Sequence, residues 1–171
     1  LRPRSALMAI SGRFVALVLL GLVPVLLFPG WLTMLATAAL LTALLVAELV
    51  FAAPLRQVSV LRAEPGNVTL NNAADAVLTI RNDGRRMLRG SFRDGWQPSA
   101  GAQDPVQVIT VPACEGRRFT VRLRPTRRGD LKTPHVTLRS FGPLGLAARQ
   151  RTIPCQGSVR VLPPFRSRRH L

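Results

Sequence analysis

The stretch from Phe14 to Ala47 reads FVALVLLGLVPVLLFPGWLTMLATAALLTALLVA and contains no charged residue. It lies in an apolar zone, residues 7–55, whose charged residues are Arg13 and Glu48. A helix that crosses a bilayer needs about 20 apolar residues, so the zone has enough residues for two crossings. One helix over the whole zone would be about 70 Å long, more than twice a hydrocarbon core of about 30 Å. The sequence therefore predicts two membrane spans rather than one.

The division between the two spans falls at Phe28-Pro29-Gly30-Trp31. Proline stops a helix, glycine permits a chain reversal, and tryptophan favours the membrane interface. We therefore predict a transmembrane helical hairpin within residues 1–56, with spans at about 7–28 and 31–53. Pro24 is expected to kink the first span without ending it, since membrane helices tolerate proline.

Four residues are predicted to anchor the hairpin at the membrane surface: Arg13, Trp31, Glu48 and Arg56. A functional carboxylate inside the membrane is the alternative role for Glu48. Arginines flank both ends of the hairpin and its tip is uncharged, so the positive-inside rule predicts that both ends are cytoplasmic. Two alternatives to the hairpin are a cleaved signal peptide, which fits poorly because no small-residue cleavage site follows, and a single span that exports the remainder.

Residues 57–165 have the composition of a soluble domain, and their apolar residues recur with the period of two that is typical of strands. Gly, Pro, Asn and Asp separate the runs, as turns do in a small sandwich. The fold class that we predict is a membrane-anchored all-β protein, with the hairpin followed by an immunoglobulin-like antiparallel β-sandwich. The runs with strand character are residues 58–60, 77–80, 106–111, 119–123, 136–138 and 159–161.

Three short elements follow one another in the second half of the domain. Arg128-Gly129 leads into a strand, Phe141-Gly142-Pro143-Leu144-Gly145-Leu146 follows, and the run from Val159 ends in Leu162-Pro163. Together with the preceding hairpin, this order resembles the amino-terminal half of the bacterial domain-of-unknown-function 58 family. That family more commonly has an Asp-Pro-Phe-Gly-Leu order at the second element, so no contact through its Asp is carried over.

The resemblance implies a function for the chain as part of a larger protein. Members of this family usually continue into a von Willebrand factor A-like domain and act with MoxR-type AAA+ ATPases in protein assembly or maturation. The chain is therefore expected to be a non-catalytic anchor and protein-interaction module in the bacterial plasma membrane, with a basic tail, residues 166–171, leading to a further domain. The alternative is an exported, membrane-tethered sandwich that binds cell-envelope components or other proteins.

The ionisable residues give little support to an enzyme. The chain has two histidines, His135 and His170, and no tyrosine, and no nucleophile–base arrangement follows from their positions. Cys114 and Cys155 lack metal-ligand spacing, and the metal-adhesion motif Asp-x-Ser-x-Ser is absent, so we predict neither a metal nor another cofactor. The two thiols are expected to be reduced in the cytoplasm, and a disulfide is expected if the domain is exported.

The chain is strongly basic, with 24 Lys and Arg against 8 Asp and Glu, a formal net charge of +16. Anionic lipid and acidic proteins are the partners that this charge favours. Nucleic acid is disfavoured because no aromatic residues are interleaved with the arginines to stack on bases. The candidate interaction surface is a set of arginine pairs near turns, expected at one end of the sandwich: Arg85, Arg86, Arg117, Arg118, Arg127 and Arg128.

Overall fold

The computed structural model describes residues 7–64 and 66–163, with side chains described from residue 11 onward. The tail at 166–171 that was predicted from the sequence lies outside the described residues. Two helices come early in the chain: α1, Gly12–Leu27, and α2, Trp31–Phe51. A 3₁₀ turn at Leu55–Gln57 follows α2 and precedes the strands of the next domain.

The two helices form a hairpin that turns at residues 28–30. Helix α1 continues through Pro24 to Leu27, as predicted. The helices approach closely at Gly21, where an added Cβ would lie 3.1 Å from Thr37 Cγ2 and 3.5 Å from Leu41 Cδ1. The missing side chain at Gly21 permits this close approach of the two helices. Apolar side chains on the other faces of both helices are exposed.

The predicted boundaries of the spans need correction at two places. Residues 7–10, assigned to the first span, form strand β1, Leu7–Ile10, because the edge of another strand offers partners to their backbone groups. Helix α2 ends at Phe51 rather than 53, since Pro54 disfavours a helical residue before it. The 16 residues of α1 rise about 24 Å and the 21 of α2 about 31 Å. Among the described helices, α2 is the one long and apolar enough to cross a membrane.

The remaining residues form two β-sheets. Strand β2 covers Val58–Arg62, β3 Val68–Thr69, β4 Ala74–Asn82, β5 Leu88–Asp94, β6 Val106–Val111, β7 Glu115–Leu123, β8 Gly129–Phe141 and β9 Ala147–Leu162. One sheet has the order β1-β9-β8-β5-β6, with β3 also on β9, and the other has the order β2-β4-β7. All pairings are antiparallel except β3 with β9.

The two sheets share one apolar core, to which Leu78, Val121, Phe92 and Leu138 contribute side chains. This confirms the prediction of a two-sheet β domain, which we call the sandwich. All six runs with strand character lie in strands. Strands β3 and β5 were not predicted. In β5 the inward positions include Gly90 and Asp94, so the apolar alternation is interrupted; a side chain at Gly90 would collide with the backbone of Arg139.

A buried ion pair connects the two sheets. Arg62, at the end of β2, donates from both terminal nitrogens to the carboxylate of Asp94, at the end of β5, over 2.9 and 2.7 Å. The two side chains are 2% and 0% exposed. Trp96 Nε1 donates to Asp94 over 2.7 Å and Thr133 Oγ1 over 3.3 Å, while the guanidinium lies 5.3 Å from the centre of the Trp96 ring. The carboxylate is therefore satisfied from several directions.

The charge on Arg62 is maintained by its partner. Burial disfavours the cation, but the hydrogen bond and the charge of Asp94 outweigh this effect and raise the pKa of Arg62 above its ordinary value. Arg62 consequently stays protonated at any pH at which the protein folds. Because a buried charge that loses its partner is strongly unfavourable, each residue of the pair depends on the other.

We predict that Asp94→Ala lowers the free energy of unfolding by about 3–5 kcal/mol, because it leaves Arg62 buried without a counterion. For a domain of this size, the melting temperature should fall by more than about 10 °C. Thermal unfolding in mild detergent, followed by Trp96 fluorescence in a Trp31→Phe background, measures the loss.

The matched control is Asp130→Ala, which breaks the exposed 3.0 Å pair between Asp130 and Arg160. Its melting temperature should stay close to that of the parent, because water screens exposed pairs. The double variant Arg62→Met/Asp94→Leu should retain more stability than Asp94→Ala, since it leaves no buried charge. Equal losses in Asp94→Ala and Asp130→Ala would contradict the role of the buried pair.

Candidate functional site

The ends of the sandwich differ in what they contact. The turns at residues 83–87, 112–114 and 142–146 lie at the end where the helices join, which we call the helix-proximal end. The turns at 95–105 and 124–128 lie at the opposite, distal end. The direction of each strand fixes this division, because antiparallel neighbours place alternate connections at alternate ends.

The centre of the helix-proximal end is the carboxylate of Glu48. This side chain is in the last two turns of α2 and is 1% exposed. The backbone N–H of Leu144 donates to its Oε2 over 3.0 Å, and the N–H of Leu146 donates to its Oε1 over 3.1 Å. Both oxygens thus bind the turn between β8 and β9, which contains the element that carries the family resemblance.

The shape of this turn depends on glycine. At Gly142 a Cβ would collide with the backbone oxygen of Glu48 and lie 2.7 Å from its carboxyl carbon. Gly145 has φ +69°, a conformation that side chains with a Cβ rarely adopt. The two glycines therefore let the turn reach the helix closely enough for its amides to meet the carboxylate.

Glu48 is unusual for its place in a helix. A negative charge near a helix C-terminus is unfavourable, because the exposed carbonyl groups already make that end negative, and α2 has no basic residue in its last turn. The two amides of the 142–146 turn offset this cost, since hydrogen bonds to a charged group are stronger than neutral ones. The carboxylate therefore favours the joined arrangement of helix and sandwich over separation.

Further contacts connect both helices to the sandwich. The N–H of Ser11 donates to the carbonyl of Leu146 over 3.0 Å, and Arg13 Nη1 donates to the carbonyl of Leu144 over 3.4 Å. Arg86 donates to the carbonyl of Val50 near the end of α2. Arg151, in β9, donates to the carbonyl of Leu55 over 2.7 Å. The hairpin is thus held at the start of α1 and at the end of α2.

The four predicted anchor residues differ in their exposure to solvent and in their contacts with the sandwich. Trp31 is the first residue of α2 and is exposed at the hairpin tip, and Arg56 is exposed in the 3₁₀ turn. Arg13 is exposed in the first turn of α1. Glu48 is a different case: its carboxylate is buried against the 142–146 turn rather than reaching toward an interface or serving as an isolated charge. This partner could not be predicted from residue types, because Leu144 and Leu146 bind Glu48 through backbone N–H groups.

The arginine pairs of the candidate interaction surface are not at one end, which corrects that prediction. Arg85 and Arg86 are in the helix-proximal turn after β4, and Arg117 is near the helix-proximal start of β7, followed by Arg118. Arg127 and Arg128 are in the distal turn before β8. The reason is the direction of β7, which carries the chain from one end of the sandwich to the other.

Three other arginines form a basic surface that sequence reasoning missed. Arg89 and Arg93 project from β5 and Arg139 from β8, all exposed on the outer face of the six-stranded sheet. In the salt bridges among the described residues, none of the three has an acidic partner. Alternation with buried Leu88, Gly90 and Phe92 was the signal that would have placed Arg89 and Arg93 together on one face.

The described residues contain no group of three or more His, Cys, Asp and Glu side chains placed to hold a metal ion. Cys114 is exposed in the helix-proximal turn before β7, Cys155 is buried in β9, and both thiols are free. The buried carboxylates of Glu48 and Asp94 are both occupied by hydrogen bonds.

No protein-family model and no curated protein matches the chain. Among solved structures, the ASH/PapD-like domain 7 of human CEP192 matches with 8% sequence identity and a TM-score of 0.43, over 64% of this chain and 87% of that domain. A protein of unknown function from Porphyromonas gingivalis W83 matches with 15% identity and a TM-score of 0.47, over 65% of this chain and 50% of that one. At these identities and TM-scores, neither structure indicates a function for the chain.

We predict that Glu48→Ala frees the 142–146 turn, because the N–H groups of Leu144 and Leu146 lose their acceptors. Removing a charged acceptor from buried donors costs about 1–3 kcal/mol. Hydrogen exchange at Leu144 and Leu146, measured on the purified protein by mass spectrometry, should accelerate about 5-fold to 100-fold, while exchange in the β4–β7 pair stays slow.

Glu64→Ala, at an exposed glutamate, is the matched control and should leave exchange unchanged. Gly142→Ala should accelerate exchange at the same turn through steric collision with Glu48. Unchanged exchange at Leu144 and Leu146 in Glu48→Ala would show that the carboxylate does not hold the turn.

Proposed function

We propose that the chain is a non-catalytic membrane anchor and protein-interaction module of a bacterial membrane protein. In this proposal α1 and α2 form the transmembrane hairpin, and the sandwich is an immunoglobulin-like module on the cytoplasmic side. The observation that carries it is the junction at Glu48, which binds the end of α2 to the sandwich. A hairpin that served merely as a flexible tether would not need a buried carboxylate at its junction.

The surface of the helices supports membrane insertion. Large apolar side chains are exposed along both helices, including Leu19, Leu26, Leu35 and Leu40. In water this surface would be a large unfavourable patch, whereas in a bilayer it is in contact with acyl chains. Helix α2 has the length of a hydrocarbon core, and α1 is several residues shorter, a mismatch that local thinning of the bilayer accommodates at modest cost.

The distribution of arginine supports the cytoplasmic side for the sandwich. Arg13, Arg56, Arg85, Arg86 and Arg149 are near the helix-proximal end, whereas the tip at residues 28–30 is uncharged. Positive charges close to spans stay on the cytoplasmic side during insertion. This distribution favours a hairpin with both ends in the cytoplasm.

The proposed partner rests on the resemblance to the domain-of-unknown-function 58 family, whose members act with MoxR-type AAA+ ATPases. The 142–146 turn, which carries part of that resemblance, is occupied by the junction with α2. The distal end is directed away from the hairpin, and its exposed Arg127 and Arg128 are accessible to an acidic protein surface. We therefore assign the ATPase contact to the distal turn at residues 124–128.

One observation favours the exported alternative. Helix α1 has 16 residues, and among the described helices α2 is the one that meets the length of a span. A single crossing by α2 would place the tip in the cytoplasm and the sandwich outside. The hairpin and the single crossing therefore place the tip on opposite sides of the membrane, and likewise the distal turn. Labelling of these two positions distinguishes the two arrangements.

We predict that a cysteine at the tip, Gly30→Cys, reacts with a membrane-impermeant maleimide in intact bacterial cells, and that Arg127→Cys in the distal turn reacts only after lysis. Gly30 has an extended backbone and open space around it, so the substitution should be tolerated. A Cys114→Ser background removes the exposed native thiol, while Cys155 stays buried.

Denatured samples provide the control for burial of each thiol, and the membrane fraction after a carbonate wash shows whether the chain is integrated. The reverse pattern, with Arg127→Cys reacting in intact cells and Gly30→Cys after lysis, would establish the exported arrangement. Loss of the protein from washed membranes would contradict the anchor itself.

A further prediction concerns the partner. The charge-reversal variant Arg127→Glu/Arg128→Glu should reduce co-purification of a MoxR-type AAA+ ATPase from the native membrane by about tenfold or more, because it replaces attraction to an acidic surface by repulsion. Quantitative mass spectrometry of the purified complexes measures the ratio. The control variant Arg118→Glu, within strand β7, should leave the recovery of the ATPase unchanged. Equal recovery of the ATPase with the wild type, the double variant and the control would contradict the distal contact.

A further inference from the structure

A groove of about 730 Å³ lies between the first turn of α1 and the open edge of the six-stranded sheet. Its walls are the start of α1 at residues 11–13, the turn at 141–145, and strands β5 and β6. Val108, on the edge strand, is 85% exposed, and Val106 beside it is also exposed. The groove therefore combines an apolar wall with the place where the helix leaves the sandwich.

The charges at the groove have one sign. Arg13 and Arg89 line it, and no acidic residue occurs among the described residues that line it. The basic surface of Arg89, Arg93 and Arg139 continues from it across the outer face of the sheet, where Arg93 and Arg139 line an adjoining cavity of about 210 Å³. The hydroxyl of Ser11, also at the groove, is buried without a hydrogen-bond partner among the described residues. An anion in the groove would therefore meet the guanidinium groups of Arg13 and Arg89.

The position of the groove indicates where such an anion comes from. The groove begins at the first turn of α1. If α1 inserts as proposed, the groove therefore lies at the level of the membrane surface. The exposed apolar side chains of α1 begin at Val15, two residues after Arg13. The molecule that presents an anionic group and an apolar tail at this level is a phospholipid.

We propose that this groove binds the head group of an anionic phospholipid of the cytoplasmic leaflet, with its phosphate at Arg13 and Arg89 and its acyl chains along the exposed apolar side chains of α1, from Val15 toward the hairpin tip. The proposal rests on the membrane function above and adds to it a specific site. A bound lipid would fill the space beside the sheet edge and bring the outer face of the sheet toward the bilayer. Edge strands that stay uncovered are prone to pair with other chains, so the lipid would also protect β6.

The test is a lipid titration of the full chain, purified in mild non-ionic detergent, with native mass spectrometry to count bound lipids. The probes are phosphatidylglycerol and phosphatidylcholine with identical acyl chains. The wild-type protein should bind phosphatidylglycerol more tightly, and Arg89→Gln should weaken that binding about fivefold, the effect of one basic residue near an anionic surface. Binding of phosphatidylcholine should not change. Arg127→Gln, in the distal turn, is the matched control and should bind as the wild type does.

A second pair of variants tests the charge of the groove. Val108→Asp places a negative charge in the groove and should weaken phosphatidylglycerol binding at least fivefold, whereas the neutral Val108→Asn, of similar size, should weaken it less. Both substitutions are at an exposed position and should leave the melting temperature unchanged. Equal binding by the Asp and Asn variants would overturn the charge argument.

Other outcomes assign the groove differently and would overturn the proposal. Competition by soluble glycerol 3-phosphate as strong as that by phosphatidylglycerol would indicate a site for a free anion. A lipid-independent dimer that Val108→Asp dissociates would indicate strand pairing between copies of the chain. Equal affinity of the wild type for both lipids would exclude an anionic lipid site; if the cysteine reporters still show the hairpin in the membrane, the proposed anchor stands without it.

Discussion

The interaction between the Glu48 carboxylate and the amides of Leu144 and Leu146 is the constraint on which the arrangement of helix and sandwich depends. It places a full negative charge near the C-terminus of α2, where helix electrostatics oppose it, and it requires a turn with glycine at 142 and 145. Each of these features is unfavourable alone. Together they satisfy two backbone donors and a buried charge at one point, so the helix and the turn stabilise each other.

Asp94, in the sandwich, is also a buried carboxylate. Asp94 and Glu48 have different partners for a physical reason. Asp94 lies between two sheets in a region where side chains meet, and Arg62 supplies a full countercharge. Glu48 lies where a helix meets a turn, and backbone dipoles supply its stabilisation. A positively charged partner side chain beside Glu48 would need the space that Gly142 and its turn already occupy. Asp94 thus joins the two sheets, and Glu48 joins helix α2 to the sandwich.

The sequence predicted those features that depend on local pattern. The uncharged run from Phe14 to Ala47 sets the helices, because length and hydropathy are sufficient there, and the β-branched runs set six strands. It did not predict β1, because residues 7–10 are as apolar as a helix and form a strand only beside the edge of β9. It missed β5 because an ion pair and a close backbone contact take the inward places of Asp94 and Gly90, which apolar residues fill elsewhere.

The candidate site was harder to predict than the fold, since its contacts join residues distant in sequence. Glu48 and Leu144 are 96 positions apart, and the contact uses a backbone group that every residue carries. The adjacent arginine pairs led to a wrong prediction of one surface, because Arg85 and Arg86 precede β7 at the helix-proximal end and Arg127 and Arg128 follow it at the distal end. Arginines an even number of positions apart on a strand, such as Arg89 and Arg93, which are four apart, share a face. For a β-domain, the spacing that marks a charged surface is therefore alternation along strands rather than adjacency in turns.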